Sequence, residues 1–292
     1  MLRKVKNRVQ RILTRAAKAN LGMIAAGVAF FGFLAIFPAI ATVIALWSYW
    51  ADPAIIRQEM LILADFLPRD AYSLLTGQVE ALLRANSSDL QLATLISIAV
   101  AFWSARAGVA GMISGLNAVH HRPERGNMRH ILLALVLTLV LITIALAALL
   151  AGIIVPLILA FLPLGTFAAL ALEVANTLLS LGLLTVGLAI TYRFGPNRPD
   201  HHQPKLFTRG LVVALILWLL VSRGFVIYLQ NFNNYNQVYG SIGAVVILLM
   251  WLYFSAYAVL LGAAVDAEDA VKLDADLPGE EPGSAPLSNP FP

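Results

Sequence analysis

Residues 166–192 read TFAALALEVANTLLSLGLLTVGLAITY. The run exceeds the roughly 20 apolar residues that a helix needs to cross a bilayer. It lacks the alternation of a strand and is longer than a barrel strand. It therefore reads as a membrane-spanning helix, and it carries a charge, Glu173. Asn176, Thr177 and Ser180 follow at i+3, i+4 and i+7, which puts four polar groups on one helical face. In hydrocarbon that face must meet protein or water rather than lipid. A chain made of such helices is an all-α, polytopic membrane bundle with a polar interior.

Outward from this run, five more apolar runs complete six transmembrane helices: Gly22–Trp50, Leu90–Gly115, Ile131–Leu162, Leu211–Gln230 and Tyr239–Val265, beside Thr166–Tyr192. Composition agrees. Apolar residues make up 60% of the chain and charged residues 12%, about half the usual charged share of a soluble domain. There is no cysteine, which excludes disulfides, thiolate nucleophiles and cysteine–zinc sites. The first run follows a basic segment and is too long for the core of a cleavable signal, so it is expected to stay as the first span.

Lys and Arg set the orientation. Seven lie before the first span, three between the second and third, four between the fourth and fifth, and one in the tail, making fifteen of the twenty. The opposite loops hold Arg57, Arg69 and Arg84. The positive-inside rule then places both termini in the cytoplasm. The expected organisation is a basic cytoplasmic segment 1–21, a membrane domain 22–265, and an acidic, Pro-rich, disordered tail 266–292. In the first outer loop, 52–89, apolar residues spaced three and four apart on either side of Pro68 predict amphipathic helices at the outer membrane boundary.

Three ionisable side chains fall at membrane depth, where charge is costly and calls for a partner. Arg223 lies at a depth similar to that of Glu173 on the next span, so an ion pair is geometrically reasonable, and Gln230 follows Arg223 at i+7. Arg106 lies deep in the second span, with Asn117 near its face at i+11. Its planar fork suits a phosphate or carboxylate. Arg106, Asn117, Glu173, Asn176, Thr177, Ser180, Arg223 and Gln230 are thus the candidate substrate path. The plainer reading, that these groups only pin helices together, stands beside it. His120, His121, His130, His201 and His202 all fall in loops without metal-ligand spacing, so no metal site and no cofactor is expected.

Several stretches carry a family resemblance. They are Ala25–Phe30 leading to Pro38, Trp103-Ser-Ala-Arg106 ending in Leu116-Asn117, and Tyr239-Gly-Ser-Ile-Gly243 leading to Trp251-Leu-Tyr253 and Leu260-Leu-Gly262-Ala263. In order and spacing the chain resembles the YihY / virulence-factor BrkB family over about residues 10–270. The resemblance implies a bacterial inner-membrane protein linked to envelope integrity, serum resistance and transport of lipid or lipopolysaccharide precursors. The family pattern has an acid after Gly262-Ala263, where this chain has Ala264 and then Asp266, and a tyrosine where it has His120.

The leading expectation is a transporter or translocator of an anionic lipid or glycolipid precursor, partnered by membrane lipids and not by nucleic acid. The alternative is a non-transporting membrane scaffold or envelope-integrity factor. A homo-oligomer is compatible with either. The ribonuclease label that family members carry would need carboxylates or histidines gathered in water around metal. The acids here are scattered over an outer loop, one span and the tail, so no catalysis is expected.

Overall fold

The computed structural model describes residues 2–48, 60–61, 72–73, 76–77, 79–80, 87–161, 165–197, 207–231 and 236–276. Among these there is no strand. Seven helices follow one another: α1 Leu2–Lys18, α2 Leu21–Ser48, α3 Ser87–Val119, α4 Asn127–Phe161, α5 Thr166–Phe194, α6 Arg209–Asn231 and α7 Asn236–Asp276. The last six are each long and apolar enough to cross a membrane. Their outer faces carry large apolar side chains in the open, Phe167 being 88% exposed. Soluble monomers rarely show apolar surface on this scale, whereas lipid accepts it.

The six spans close into a ring in which each helix touches the next and α7 returns to α2. The pairs α2–α3, α6–α7 and α2–α7 pack most closely, and α4 and α5 form a hairpin leaning on them. The thinnest wall of the ring is between α5 and α6. Small residues set the tight contacts. Gly108 and Gly111 of α3 lie against Phe31 and Val28 of α2, and Gly115 lies against Leu260 of α7. Close approach of this kind replaces the hydrophobic drive that lipid removes.

The buried core gathers at the end of the bundle where α1 joins it. Leu21, Ala25, Leu116, Val119, Leu211, Leu260, Ala263 and Ala267 meet there. Asn20, with φ 51°, turns the chain between α1 and α2 in the left-handed region that asparagine tolerates.

The two ends add detail to the sequence expectation. The basic segment 1–21 is mostly the helix α1. Its Ile12, Ala16 and Ala19 pack on the core. The acidic stretch from Asp266 continues α7 to Asp276, and its acids meet α1. The tail beyond Asp276 and nearly all of loop 52–89 lie outside the described residues.

Candidate functional site

The ring encloses a cavity of about 750 Å³ lined by residues of all six spans. That volume lies within the range of small-molecule sites. The lining is almost wholly apolar. Leu141 and Ile144 come from α4, Met112 from α3, Trp218 from α6 and Val259 from α7. A smaller cavity of about 240 Å³ shares Val28, Met112, Leu188, Trp218 and Val259 with it and extends toward Ala256 and Leu252 of α7. The polar side chains of the larger cavity all come from α5: Thr177, Ser180 and Thr191. The Thr177 hydroxyl donates to the Glu173 carbonyl (3.0 Å) and that of Thr191 to Gly187 (2.8 Å). Their donors are thus spent within the helix, and each oxygen keeps acceptor capacity.

The structure divides the candidate residues. Thr177 and Ser180 line the cavity. Asn176 is half-buried, and its Oδ1 has no hydrogen-bond partner among the described residues. Glu173 and Arg223 are exposed side chains, and no ion pair joins them. Equal depth did not bring them together because α5 and α6 touch only sparsely. Gln230 lies near the end of α6, and its side chain falls outside the described residues.

Arg106 is half-buried and has neither a hydrogen-bond nor an ion-pair partner among the described residues. It sits near the middle of the span Thr94–Val119. Its neighbour Ala105 lines the cavity. Arg106 shares a helical face with Val109, Ala110 and Ile113, which pack beside Ala134 and Leu137 of α4. Arg106 itself is not among the lining residues, and its helical face is the one that α3 turns toward α4. Placing an arginine at the centre of a span costs roughly 2.5–3.5 kcal/mol on insertion scales.

Asn117 has a different setting. It is buried at the end of α3, away from the cavity lining, and its Oδ1 accepts from the Asn197 backbone N–H (2.7 Å). Asn197 in turn donates through Nδ2 to the Pro123 carbonyl (3.1 Å). Arg125 finishes this corner by donating to the carbonyls of Phe194, Gly195 and Pro196 at 3.2, 2.6 and 2.7 Å. These carbonyls follow α5, where orphan acceptors and the helix dipole favour a cation. Burial lowers the Arg125 pKa from its ordinary value, but an arginine stays charged at any physiological pH.

A second polar group, unforeseen in the sequence, joins α6 to α7. Thr208 caps α6, its hydroxyl accepting from the Leu211 N–H (3.1 Å) and donating to Asp266 Oδ2 (2.5 Å). Asp266 Oδ1 accepts from the Gly210 N–H (2.6 Å). The Tyr192 hydroxyl donates to the Val259 carbonyl. A third group ties α1 to α7. Arg8 pairs with Asp269 (2.7 Å), Arg11 with Glu268 (2.5 Å) and Arg15 with Glu268 (3.9 Å). Among the described residues no three of His, Cys, Asp and Glu gather as metal ligands.

Fold and site together define a polytopic helical membrane protein with an apolar intramembrane cavity. The chain belongs to the virulence factor BrkB family, whose model matches residues 12–284. It is 26% identical over 256 residues to the ribonuclease-like protein YfkH of Bacillus subtilis (strain 168), covering 83% of this chain and 87% of that one. UPF0761 membrane proteins of Xanthomonas oryzae pv. oryzae (strain PXO99A) and Xanthomonas axonopodis pv. citri (strain 306) are 36% and 38% identical over 96 residues, about a third of this chain. The chain spans about a fifth of the length of those Xanthomonas proteins. No solved structure matches.

Proposed function

We propose that this protein is a translocator of an anionic lipid or envelope precursor in the bacterial inner membrane. The observation that carries the reading is Arg106, a mid-span guanidinium with no partner among the described residues, next in sequence to Ala105 of the lining of a 750 Å³ apolar cavity. A lipid has the two parts that fit: acyl chains for the apolar walls and a phosphate for the planar fork of arginine. The thin α5–α6 wall supplies a lateral seam through which such a molecule enters from the bilayer. The hydroxyl oxygens of Thr177, Ser180 and Thr191 on α5 offer hydrogen bonds to hydroxyls of a glycolipid head.

The reading needs no catalysis. Hydrolysis of RNA calls for metal-holding acids in water, and the acids Asp266, Glu268 and Asp269 are engaged in caps and ion pairs. On this reading the name of the Bacillus relative does not extend to this chain. A scaffold without transport is the competing reading, and the ties from Asn117 and Arg125 to the end of α5 are the kind of contact it would use.

Arg106→Gln separates the two, since it keeps length and hydrogen bonding but deletes the charge. The expected result is a stably inserted protein that accelerates fluorescent phosphatidylglycerol movement in proteoliposomes at least tenfold less than the unaltered chain. That loss equals about 1.4 kcal/mol, within the range of one charged hydrogen bond. Equal rates for both proteins, or no movement of phospholipid or glycolipid by either, would discard transport in favour of the scaffold.

Orientation is part of the proposal. With both termini in the cytoplasm, the basic α1 and the loops after α3 and α5 face the inner side. Reporter fusions at Pro292 and within 70–86 should report opposite sides of the membrane. Periplasmic activity at Pro292 would reverse the assignment.

A further inference from the structure

A second recess, far from the intramembrane cavity, lies between α1, the turn after α3 and the end of α7. Its volume is about 600 Å³. Unlike the first it is lined by polar and charged residues. One stripe of α1 supplies Asn7, Gln10, Arg11, Thr14, Arg15 and Lys18, and His121 and Glu268 complete it. The α1 residues recur at intervals of three and four, which puts them on one face of the helix. Lys18 stands three residues before the span Leu21–Thr42, His121 two after the span Thr94–Val119, and Glu268 two before the end of the span Val245–Ala270. The recess is thus at the membrane–water boundary. Val9 and Leu13, both exposed, lie on the other side of α1, where an interfacial helix meets lipid.

The charges in the recess do not cancel. Three cations face one carboxylate, and Glu268 is already engaged by Arg11 Nε and lies near Arg15. Arg15 spends a second donor on the Val119 carbonyl (3.1 Å). Lys18 has no hydrogen-bond or ion-pair partner among the described residues. Lys18 and Arg11 thus line the same recess as Asn7 and Gln10, with more positive charge than Glu268 balances. Buried salt bridges alone would need neither the space nor the surplus charge.

We propose that this recess binds a phosphate-bearing anion. A guanidinium presents paired donors to phosphate oxygens, and a lysine adds a mobile point charge. The anion is either a phospholipid head group reaching the rim or a soluble phosphate compound from the aqueous side. The site does not depend on transport, because a scaffold would hold the same ligand.

The test uses the full-length protein in a neutral detergent, with its thermal melt followed against added ligand at constant ionic strength. The probes are inorganic pyrophosphate, short-chain phosphatidylglycerol and short-chain phosphatidylcholine. Saturable stabilisation by pyrophosphate identifies a soluble phosphate source. Stabilisation by phosphatidylglycerol alone identifies a lipid head group. Either result should weaken about fivefold in apparent affinity in Lys18→Gln, the loss expected for one basic residue near a membrane surface. Lys6→Gln removes the same charge from α1 outside the recess and should leave the affinity unchanged. Arg11→Gln should weaken binding further, and its ligand-free melt reports separately on the lost contact with Glu268. No saturable shift with pyrophosphate or phosphatidylglycerol overturns the site. So does an equal response to phosphatidylcholine, or equal weakening by Lys6→Gln and Lys18→Gln.

Discussion

Gly262→Ala should sharply lower the melting temperature of the detergent-solubilised protein. At Gly262, α7 crosses α6 with no room for a side chain. A Cβ there would lie 2.5 Å from the Gly210 carbonyl oxygen, 2.6 Å from the Ala214 methyl and 2.6 Å from the Tyr192 hydroxyl. The first of these is backbone and cannot swing away. The reverse substitution is no easier, since a Cβ on Gly210 would overlap the Gly262 carbonyl and the Asp266 carboxylate. Overpacking typically costs 1–3 kcal/mol. Here separation of the helices would also strain the bonds from Asp266 to Thr208 and Gly210 and from Tyr192 to Val259. A loss of about 3 kcal/mol or more is therefore expected. Gly224, on the same helix as Gly210, has nothing within 4 Å of its would-be Cβ. Gly224→Ala should be neutral or stabilising through helix propensity, by up to ~1 kcal/mol. Melting curves for Gly262→Ala and Gly224→Ala that coincide would mean that α6 and α7 do not cross as described.

This crossing also shows what the sequence could and could not reveal. The spans were legible because a bilayer imposes a length and a composition on each helix, and the six helices begin and end near the expected positions except at the end of α7, which runs past Val265 to Asp276. The α5 stripe was half legible. Spacing placed Thr177 and Ser180 on a common face, and both reach the cavity. Spacing could not tell that Glu173, one turn away, would be exposed, because that depends on how α5 leans on α4 rather than on α6. The same lean keeps Glu173 and Arg223 apart. Arg106 announced itself as a lone charge in a greasy run, but what its helical face meets depends on the pairing of α3 with α4. The least legible feature was the acidic end of α7. Glu268 and Asp269 look like the start of a solvated tail, since their partners Arg11 and Arg8 are 257 and 261 residues away. Likewise Asp266 was visible only as a displaced acid after Gly262-Ala263, and its role as a cap appears once α6 is laid beside it.

Glu268→Ala should detach α1 and destabilise the whole bundle. The Glu268 side chain is 8% exposed, and Arg15, 3.9 Å away, is 14% exposed. Deleting the carboxylate leaves a guanidinium in a place too closed for full hydration, with the Val119 carbonyl as its remaining acceptor among the described residues. Removal of one partner of a buried pair typically costs 3–5 kcal/mol. Arg11, the other partner, is half-exposed and can recover water, so the lower end, about 3 kcal/mol, is expected here. The damage should have a local signature as well. α1 is held to the bundle by Arg8 and Arg11 on α7, by Arg15 on Val119, and by Ile12, Ala16 and Ala19 in the core. Loss of the central acid should therefore raise protease cutting at Arg3–Lys18 before the spans melt. Arg15→Met in the Glu268→Ala background should restore much of the stability, because it removes the stranded charge and fills the space with an apolar chain. If Glu268→Ala melts like the unaltered protein and α1 is cut no faster, the ion pairs are surface decoration and α1 is held by its apolar face alone.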